Sequence, residues 1–166
     1  MPELTPQEKL QPCLLDRLLD DEPDKTEESR TQRVISLQRY KRGVLRDLEW
    51  LLNTSAHLPE EGSKQLRLSD YPEAFRSVLN FGCRQLCGLL APDTAELERQ
   101  LFDIIQFFEP RILRQSLTVK AKMDHQAIAF EIHGEIWANP LPEHLFIKTK
   151  IDLETGQYVF GGAGDG

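Results

Sequence analysis

The chain lacks a long apolar segment. No run of hydrophobic residues approaches the roughly 20 that a helix needs to span a bilayer. The first residues also lack the basic and apolar regions of a signal peptide. We therefore expect a cytosolic protein that does not insert directly into a membrane.

An excess of positive charge is missing as well. The net charge is −7 and the pI is near 5.1. A protein that binds nucleic acid without sequence preference needs a basic surface to neutralise phosphates. The composition therefore argues against a nucleic-acid partner.

Cysteine is scarce, with three residues in 166. An odd number in a chain of this length does not make a disulfide framework, and reduced thiols fit a cytosolic compartment. Cys83 and Cys87 are four residues apart, but no histidine or further cysteine lies near them in the sequence. We therefore expect no metal site and no cofactor.

The motifs of common hydrolases and nucleotide-binding enzymes are absent. The run from His133 to Glu135 matches only the first half of a zinc deaminase signature, because all three cysteines lie upstream. The sequence contains no Gly-x-Ser-x-Gly elbow and no His-Glu-x-x-His helix. We therefore predict that the protein is not an enzyme and has no catalytic residues.

What the chain does contain is an abrupt change of periodicity at residues 107–112. Upstream, apolar residues recur at the spacing of an amphipathic helix: Leu97, Leu101, Ile104, Ile105 and Phe108. Downstream, they alternate as in a half-buried strand: Leu117, Val119, Ala121 and Met123. Pro110 ends the helix, because it lacks an N–H and disfavours helical geometry at Glu109. Glu109 and Arg111 thus flank a stiff corner. They are either solvated charges, charges presented to a partner at little entropic cost, or charges paired with each other or a neighbour.

Residues 1–30 form an acidic arm, with nine acidic and four basic residues. Such a segment buries little apolar surface except through leucines at helical spacing: Leu14, Leu15, Leu18 and Leu19. We predict a flexible arm that carries one short amphipathic helix. This helix docks either on its own domain or on a neighbouring subunit.

A long helix is predicted from about Gln32 to Asn53. Because glycine disfavours a helix interior, this helix either bends at Gly43 or begins only there. Trp50 is expected in the core. The first half of this helix is basic, through Arg39, Lys41, Arg42 and Arg46. That cluster is a solvated face, a partner for the chain's own acidic arm, or a docking surface for an acidic neighbour.

The middle of the chain contains a loop and a short helix. Pro59, Gly62 and the charges around them predict a loop from His57 to Asp70, with a short extended piece at Leu66–Leu68. A helix is expected to enter at Tyr71-Pro72 and to end before Asn80, with Gly82 supplying a conformation that other residues resist. The helix that runs to Phe108 should start at Pro92, Asp93 or Thr94.

The last third of the chain reads as strands, predicted at residues 113–123, 127–136 and 145–153. Helices followed by antiparallel strands give an α+β fold, with N-terminal helices packed on a C-terminal antiparallel sheet of three or more strands. We assign residues 31–160 to a single α+β domain and residues 161–166 to a flexible tail.

Six blocks of sequence in this order resemble the TssE family of type VI secretion baseplate components. That family belongs with the phage baseplate wedge proteins that carry a lysozyme-like name. The blocks are Leu14–Leu18, Asp20–Pro23, Asp47–Thr54, Ser77–Gly82, Phe107–Ile112 and Ile151–Gly156. The resemblance covers most of the chain and marks residues 31–160 as a baseplate wedge domain.

The resemblance implies a structural wedge subunit of a contractile, phage-tail-like injection machine. The implied partners are the baseplate subunits TssF and TssG, with TssK as a further candidate, and the sheath proteins TssB and TssC, whose assembly it helps to initiate. The implied location is the cytoplasmic baseplate at the inner face of the bacterial inner membrane.

The same resemblance assigns partner binding to Glu109, Pro110 and Arg111. We expect Glu109 to accept and Arg111 to donate hydrogen bonds at an interface, unless Arg111 instead braces the fold. Burying either charge without its partner is costly, so such a contact would reject wrong partners. A free sheet edge would offer a second contact by strand addition.

The alternative function is a peptidoglycan glycosidase, as the lysozyme-like name suggests. Such an enzyme needs two carboxyl groups roughly 5–10 Å apart, one of them held protonated. Glu109 is the candidate acid, but Arg111 beside it would hold it in the charged form. An aromatic content of 8% also offers no long sugar platform.

Overall fold

The computed structural model describes residues 10, 13–18, 35–56, 71–75, 77–83, 93–124, 127–138 and 141–161. Within these residues, helices precede strands along the chain. The helices are α1 (Leu14–Leu18), α2 (Leu37–Asn53), α3 (Pro72–Phe75), a 3₁₀ turn (Val78–Asn80) and α4 (Thr94–Phe108). The strands are β1 (Thr118–Asp124), β2 (Ala127–Ile136), β3 (Glu143–Asp152) and β4 (Tyr158–Gly161). The predicted α+β class is confirmed.

The four strands form one antiparallel sheet in the order β1-β2-β3-β4. The second predicted strand matches β2 at both ends. The fourth strand was not predicted individually, because it has four residues and only Tyr158 among them is buried. It ends at Gly161, the first residue of the predicted tail.

The inward face of the sheet supplies much of the core. Alternate residues of β2 are buried: Ile128, Phe130, Ile132, Gly134 and Ile136. Gly134 has no side chain and leaves a gap in this row, which Ile112 fills. A Cβ at Gly134 would lie 2.9 Å from Cγ2 of Ile112. The chain after the corner is therefore packed directly onto β2.

Helix α2 begins later than predicted and continues through its glycine. It starts at Leu37, because Ser36 is extended and its hydroxyl accepts a hydrogen bond from the N–H of Arg39 at 3.3 Å. Gly43 lies inside the helix and is buried. The prediction that Trp50 lies in the core is wrong, since 50% of its surface is exposed. The Arg46 guanidinium lies 5.3 Å from its ring centre, as in a cation–π contact.

Two other element bounds also differ from the prediction. The helix expected from Tyr71 towards Asn80 is divided, because Ser77 is extended and its hydroxyl caps the 3₁₀ turn by accepting from Leu79 N–H. The first strand begins at Thr118 rather than Leu113, since the residues before it form a turn. Helix α4 starts at Thr94, within the predicted range of starts, and Asp93 is its N-cap. The predicted loop at residues 57–70, with its extended piece at Leu66–Leu68, and Cys87 lie outside the described residues.

Gly82 has the backbone conformation that the sequence predicted, with a φ of 121°. A Cβ there would lie 2.3 Å from the carbonyl oxygen of Thr54. The close approach allows two backbone hydrogen bonds, from Cys83 N–H to Thr54 and from Ala56 N–H to Cys83. Gly82 therefore joins the end of α2 to the segment that follows the 3₁₀ turn.

Candidate functional site

The corner after α4, which we define as Glu109, Pro110 and Arg111, is fixed by backbone hydrogen bonds on both sides. Glu109 N–H donates to the Ile105 carbonyl at 2.8 Å and closes the last helical turn. Trp137 N–H donates to the Arg111 carbonyl at 2.7 Å, next to a bridge between Ile112 and Ile136. The corner is thus bonded to the helix before it and to the end of β2.

Glu109 is buried, with 3% of its surface exposed, and its carboxylate is bound by Arg111. Arg111 Nε donates to Oε1 at 2.6 Å, and Nη2 donates to Oε2. The backbone N–H of Arg111 adds a third hydrogen bond to Oε1 at 3.2 Å. A bidentate pair of this kind is among the strongest side-chain interactions. The structure therefore brings the two predicted charges together as one unit.

Arg111 also reaches helix α2. Its Nη2 donates to Oδ2 of Asp47 at 2.7 Å, while Oδ1 of Asp47 accepts from Nε and Nη2 of Arg46 at 2.9 and 2.8 Å. Two guanidinium groups thus share one carboxylate. The side chains of Arg111, Asp47 and Arg46 are only 19%, 24% and 28% exposed, so solvent screens these pairs incompletely.

The network continues to the N-terminal arm. Arg46 Nη1 donates to Oδ1 of Asp16 at 2.5 Å, and the Cys13 thiol donates to Oδ2 of Asp16 at 3.0 Å. This pair matches one of the alternatives drawn from the sequence, in which the basic part of α2 holds the chain's own acidic arm. We call the alternating series Glu109, Arg111, Asp47, Arg46 and Asp16 the charge network.

The network shifts the pKa values of its members. Burial lowers the pKa of Arg111, but its hydrogen bonds and charge interactions with Glu109 and Asp47 outweigh burial, so the pKa is raised. The pKa of Asp16 moves the other way: burial raises it, and the hydrogen bonds from Cys13 and Arg46 lower it below the ordinary value. Both groups are therefore held in their charged forms.

Exposed apolar groups surround the corner. Pro110 is exposed, and 37% of Phe107 and 56% of Trp137 are accessible. The backbone of Trp137 pairs opposite that of Arg111, next to the bridge between Ile112 and Ile136. Tryptophan and arginine are enriched among the residues that dominate binding energy at interfaces. Trp137 could not be identified from the sequence, because its position depends on a contact between distant segments.

The sheet has two edge strands, and side chains bind the backbone of both. On β1, Ala121 N–H donates to the Glu98 carboxylate at 2.7 Å. On β4, the Asn53 carboxamide pairs with Tyr158 as a neighbouring strand would: Tyr158 N–H donates to Oδ1 at 2.9 Å, and Nδ2 donates to the Tyr158 carbonyl at 3.1 Å. The antiparallel alternation places the N–H and C=O of Phe160 on this same outer edge.

A shallow cleft lies beside this edge. It is lined by Leu52, Asn53, Thr54, Ser55, Cys83, Thr155, Gly156 and Gln157, none of which is acidic. Across the described residues, no group of three or more histidine, cysteine, aspartate or glutamate side chains could hold a metal ion. No helix in the described part of the chain is long and apolar enough to cross a membrane.

Comparison with known proteins identifies one family. The family model described as baseplate wedge protein gp25 matches residues 38–141, which extend from the start of α2 to the connection between β2 and β3. The matched residues include the corner and the two charge-network residues of α2, Arg46 and Asp47. Asp16 lies before the matched range. No curated protein matches the chain.

Proposed function

The chain belongs to the gp25 family of baseplate wedge proteins, and we propose from this that it is the wedge subunit TssE of a type VI secretion baseplate. The family gives it a structural role in a phage-like baseplate, in contact with other baseplate subunits. The six ordered sequence blocks support the type VI assignment.

We assign docking on the TssF and TssG wedge to the corner. The observation that carries this proposal is the buried Glu109–Arg111 pair, since three hydrogen bonds hold the backbone on either side of Pro110. A rigid, exposed Pro110 loses little conformational entropy on binding. The Arg111 side chain is 19% exposed, and the backbone of Trp137 pairs opposite that of Arg111. A partner carboxylate would therefore meet a charge already held in place.

Initiation of sheath assembly is assigned to strand addition on β4. The Asn53 carboxamide occupies the outer edge at Tyr158, whereas the N–H and C=O of Phe160 lie one step further along that edge. A strand from TssB or TssC would pair there through its backbone. TssK remains a further candidate partner in the same assembly. The location that fits this role is the cytoplasmic face of the inner membrane.

The alternative function, a peptidoglycan glycosidase, has less support. The candidate acid Glu109 is 3% exposed, and both of its oxygens are bound by Arg111. A general acid must reach the glycosidic oxygen and carry a proton. The cleft lined by Asn53 and its neighbours offers no carboxyl group. We therefore propose that the protein is not an enzyme.

The test is co-expression of the tagged chain with TssF and TssG, followed by affinity capture and size-exclusion chromatography. We expect a stable complex that contains all three proteins. In parallel, the isolated chain is added to a peptidoglycan suspension, and hydrolysis is followed as a decrease in turbidity. A commercial lysozyme is the positive control. Clearance of peptidoglycan without capture of TssF and TssG would overturn the proposal.

A further inference from the structure

The N-terminal strap, which we define as Leu10 and residues 13–18, is bound to the domain at two places. The Leu10 carbonyl accepts a hydrogen bond from Ile35 N–H at 3.1 Å, and only 3% of Leu10 is exposed. Asp16 binds Arg46 on α2, where Gly43 gives it room: a Cβ at Gly43 would lie 3.3 Å from Oδ2 of Asp16. A helix of five residues is not stable alone, so these contacts hold it.

The strap and the corner are joined through Asp47. Arg46 uses Nη1 for Asp16 and the opposite side of its guanidinium for Asp47. Asp47 in turn uses its other oxygen for Arg111. Each guanidinium is therefore held between two carboxylates. Releasing Asp16 removes one of the two carboxylates that orient Arg46. The Asp47 carboxylate, which lies between Arg46 and Arg111, is then held less firmly.

We propose that docking of the N-terminal strap at Arg46 is coupled to the geometry of the corner, with Asp16 and Asp47 as positioning residues for Arg111. The coupling regulates the proposed docking of TssF and TssG, and that part rests on the proposed function. Coupling between two sites is reciprocal. A partner that draws Arg111 away from Asp47 loosens the strap, and a partner that removes the strap loosens the corner.

The coupling is measurable on the isolated protein through Cys13, which lies in the strap. The rate of Cys13 alkylation by iodoacetamide is followed by peptide mass spectrometry in the parent, in Arg111→Met and in Asp47→Asn. Neither substituted residue bonds to Cys13. We expect both variants to increase the alkylation rate of Cys13 by about fivefold or more. Faster hydrogen exchange at Ile35 N–H should accompany this increase, since that group bonds to the strap.

Two controls separate coupling from general destabilisation. Cys83 is buried, so its alkylation in the same sample reports global unfolding. Lys41→Met, also on α2, breaks the ion pair with Glu143 of β3 but leaves the charge network intact. It should leave the alkylation rate of Cys13 unchanged. An unchanged Cys13 rate in Arg111→Met, or a rise at Cys83 in proportion to that at Cys13, would overturn the proposal.

A second readout involves the partners. Asp16→Asn leaves the sequence of the corner intact, and we expect it to reduce capture of TssF and TssG severalfold, with recovery in Asp16→Glu. Parental capture by Asp16→Asn would overturn the regulatory part of the proposal. If instead Arg111→Met accelerates Cys13 alkylation yet captures TssF and TssG normally, the coupling stands and the docking assignment fails.

Discussion

Arg111 and Asp47 are 64 residues apart in the sequence, and Nη2 of the arginine donates to Oδ2 of the aspartate at 2.7 Å. This hydrogen bond joins the corner after α4 to the middle of α2. Because Arg46 bonds to the other Asp47 oxygen, the same carboxylate also fixes the residue that holds the N-terminal strap. The corner is therefore fixed to α2 by side-chain hydrogen bonds and is not a loose connection between α4 and the sheet.

Removing the shared carboxylate should destabilise the fold. Asp47→Asn leaves Arg46 and Arg111 without the charge between them, and a lost hydrogen bond to a charged group costs about 1.5–3 kcal/mol. We expect the free energy of unfolding in urea to fall by that amount. Glu143→Gln, which weakens only the half-exposed Lys41 pair, serves as the control and should change stability by less than about 1 kcal/mol. Equal effects of the two substitutions would show that the network does not stabilise the fold.

Asn53 should protect the edge of β4. In Asn53→Ala the N–H and C=O of Tyr158 lose their partners, at a cost of about 1–2 kcal/mol. Hydrogen exchange at Tyr158 N–H should accelerate, since this amide would then face solvent. Gln157→Ala changes an exposed neighbour and leaves those two hydrogen bonds intact, so exchange should stay at the parental rate. Unchanged exchange in Asn53→Ala would contradict the role of Asn53 as an edge cap.

Two glycines should respond very differently to alanine. Gly82→Ala forces a side chain into a φ of 121° and towards the Thr54 carbonyl, and the backbone strain alone costs about 1–3 kcal/mol. Gly161→Ala meets only ordinary contacts, the nearest at 3.4 Å, and should change stability by less than about 0.5 kcal/mol. Thermal unfolding compares the pair. A melting temperature for Gly82→Ala close to that of Gly161→Ala would contradict the close approach at Thr54.

Stability should decline in alkaline solution because of Tyr158. Burial is the main cause that raises the pKa of its phenol above the ordinary 10.0, and the nearby Cys83 adds to it. The folded protein therefore holds this proton more tightly than the unfolded chain does. The stabilisation is fully present below pH 10.0 and is lost as the pH rises through the raised pKa.

Urea unfolding at a series of pH values, together with tyrosinate absorbance, checks this expectation. The decline above pH 10.0 should be shallower in Tyr158→Phe, although some of it should persist because burial also raises the pKa of Tyr40. Ionisation of Tyr158 should accompany unfolding. A parental decline in Tyr158→Phe would exclude Tyr158 as its source.

The sequence predicted best those helices and strands whose apolar residues follow a regular local spacing. The apolar stripe of α4 and the alternation in β2 are properties of consecutive residues, and both elements were located well. Pro110 likewise ends α4 at the expected place. Trp50 was misplaced because it is amphipathic: its ring lies beside Arg46 at the surface instead of in the core.

The charge network could not be read from the sequence, because its members come from three separated segments. Asp16, Asp47 and Glu109 each resemble ordinary surface acids when taken alone. Two partial signals were available. The sequence around Pro110 allowed Glu109 and Arg111 to pair with each other or with a neighbour, and the basic first half of α2 allowed an internal acidic partner but did not identify Asp16. Trp137 was missed for the same reason, since only the bridge between Ile112 and Ile136 places it beside Arg111.

The most direct test of the account is capture of TssF and TssG by Arg111→Lys at a temperature where this variant is fully folded. Lysine keeps the charge but loses the bidentate geometry that holds Glu109 and Asp47 together. Arg99→Lys, at an exposed ion pair on α4, is the matched control. We expect roughly a tenfold or greater loss of capture for Arg111→Lys and parental capture for Arg99→Lys. Parental capture by folded Arg111→Lys would contradict the assignment of partner docking to the corner.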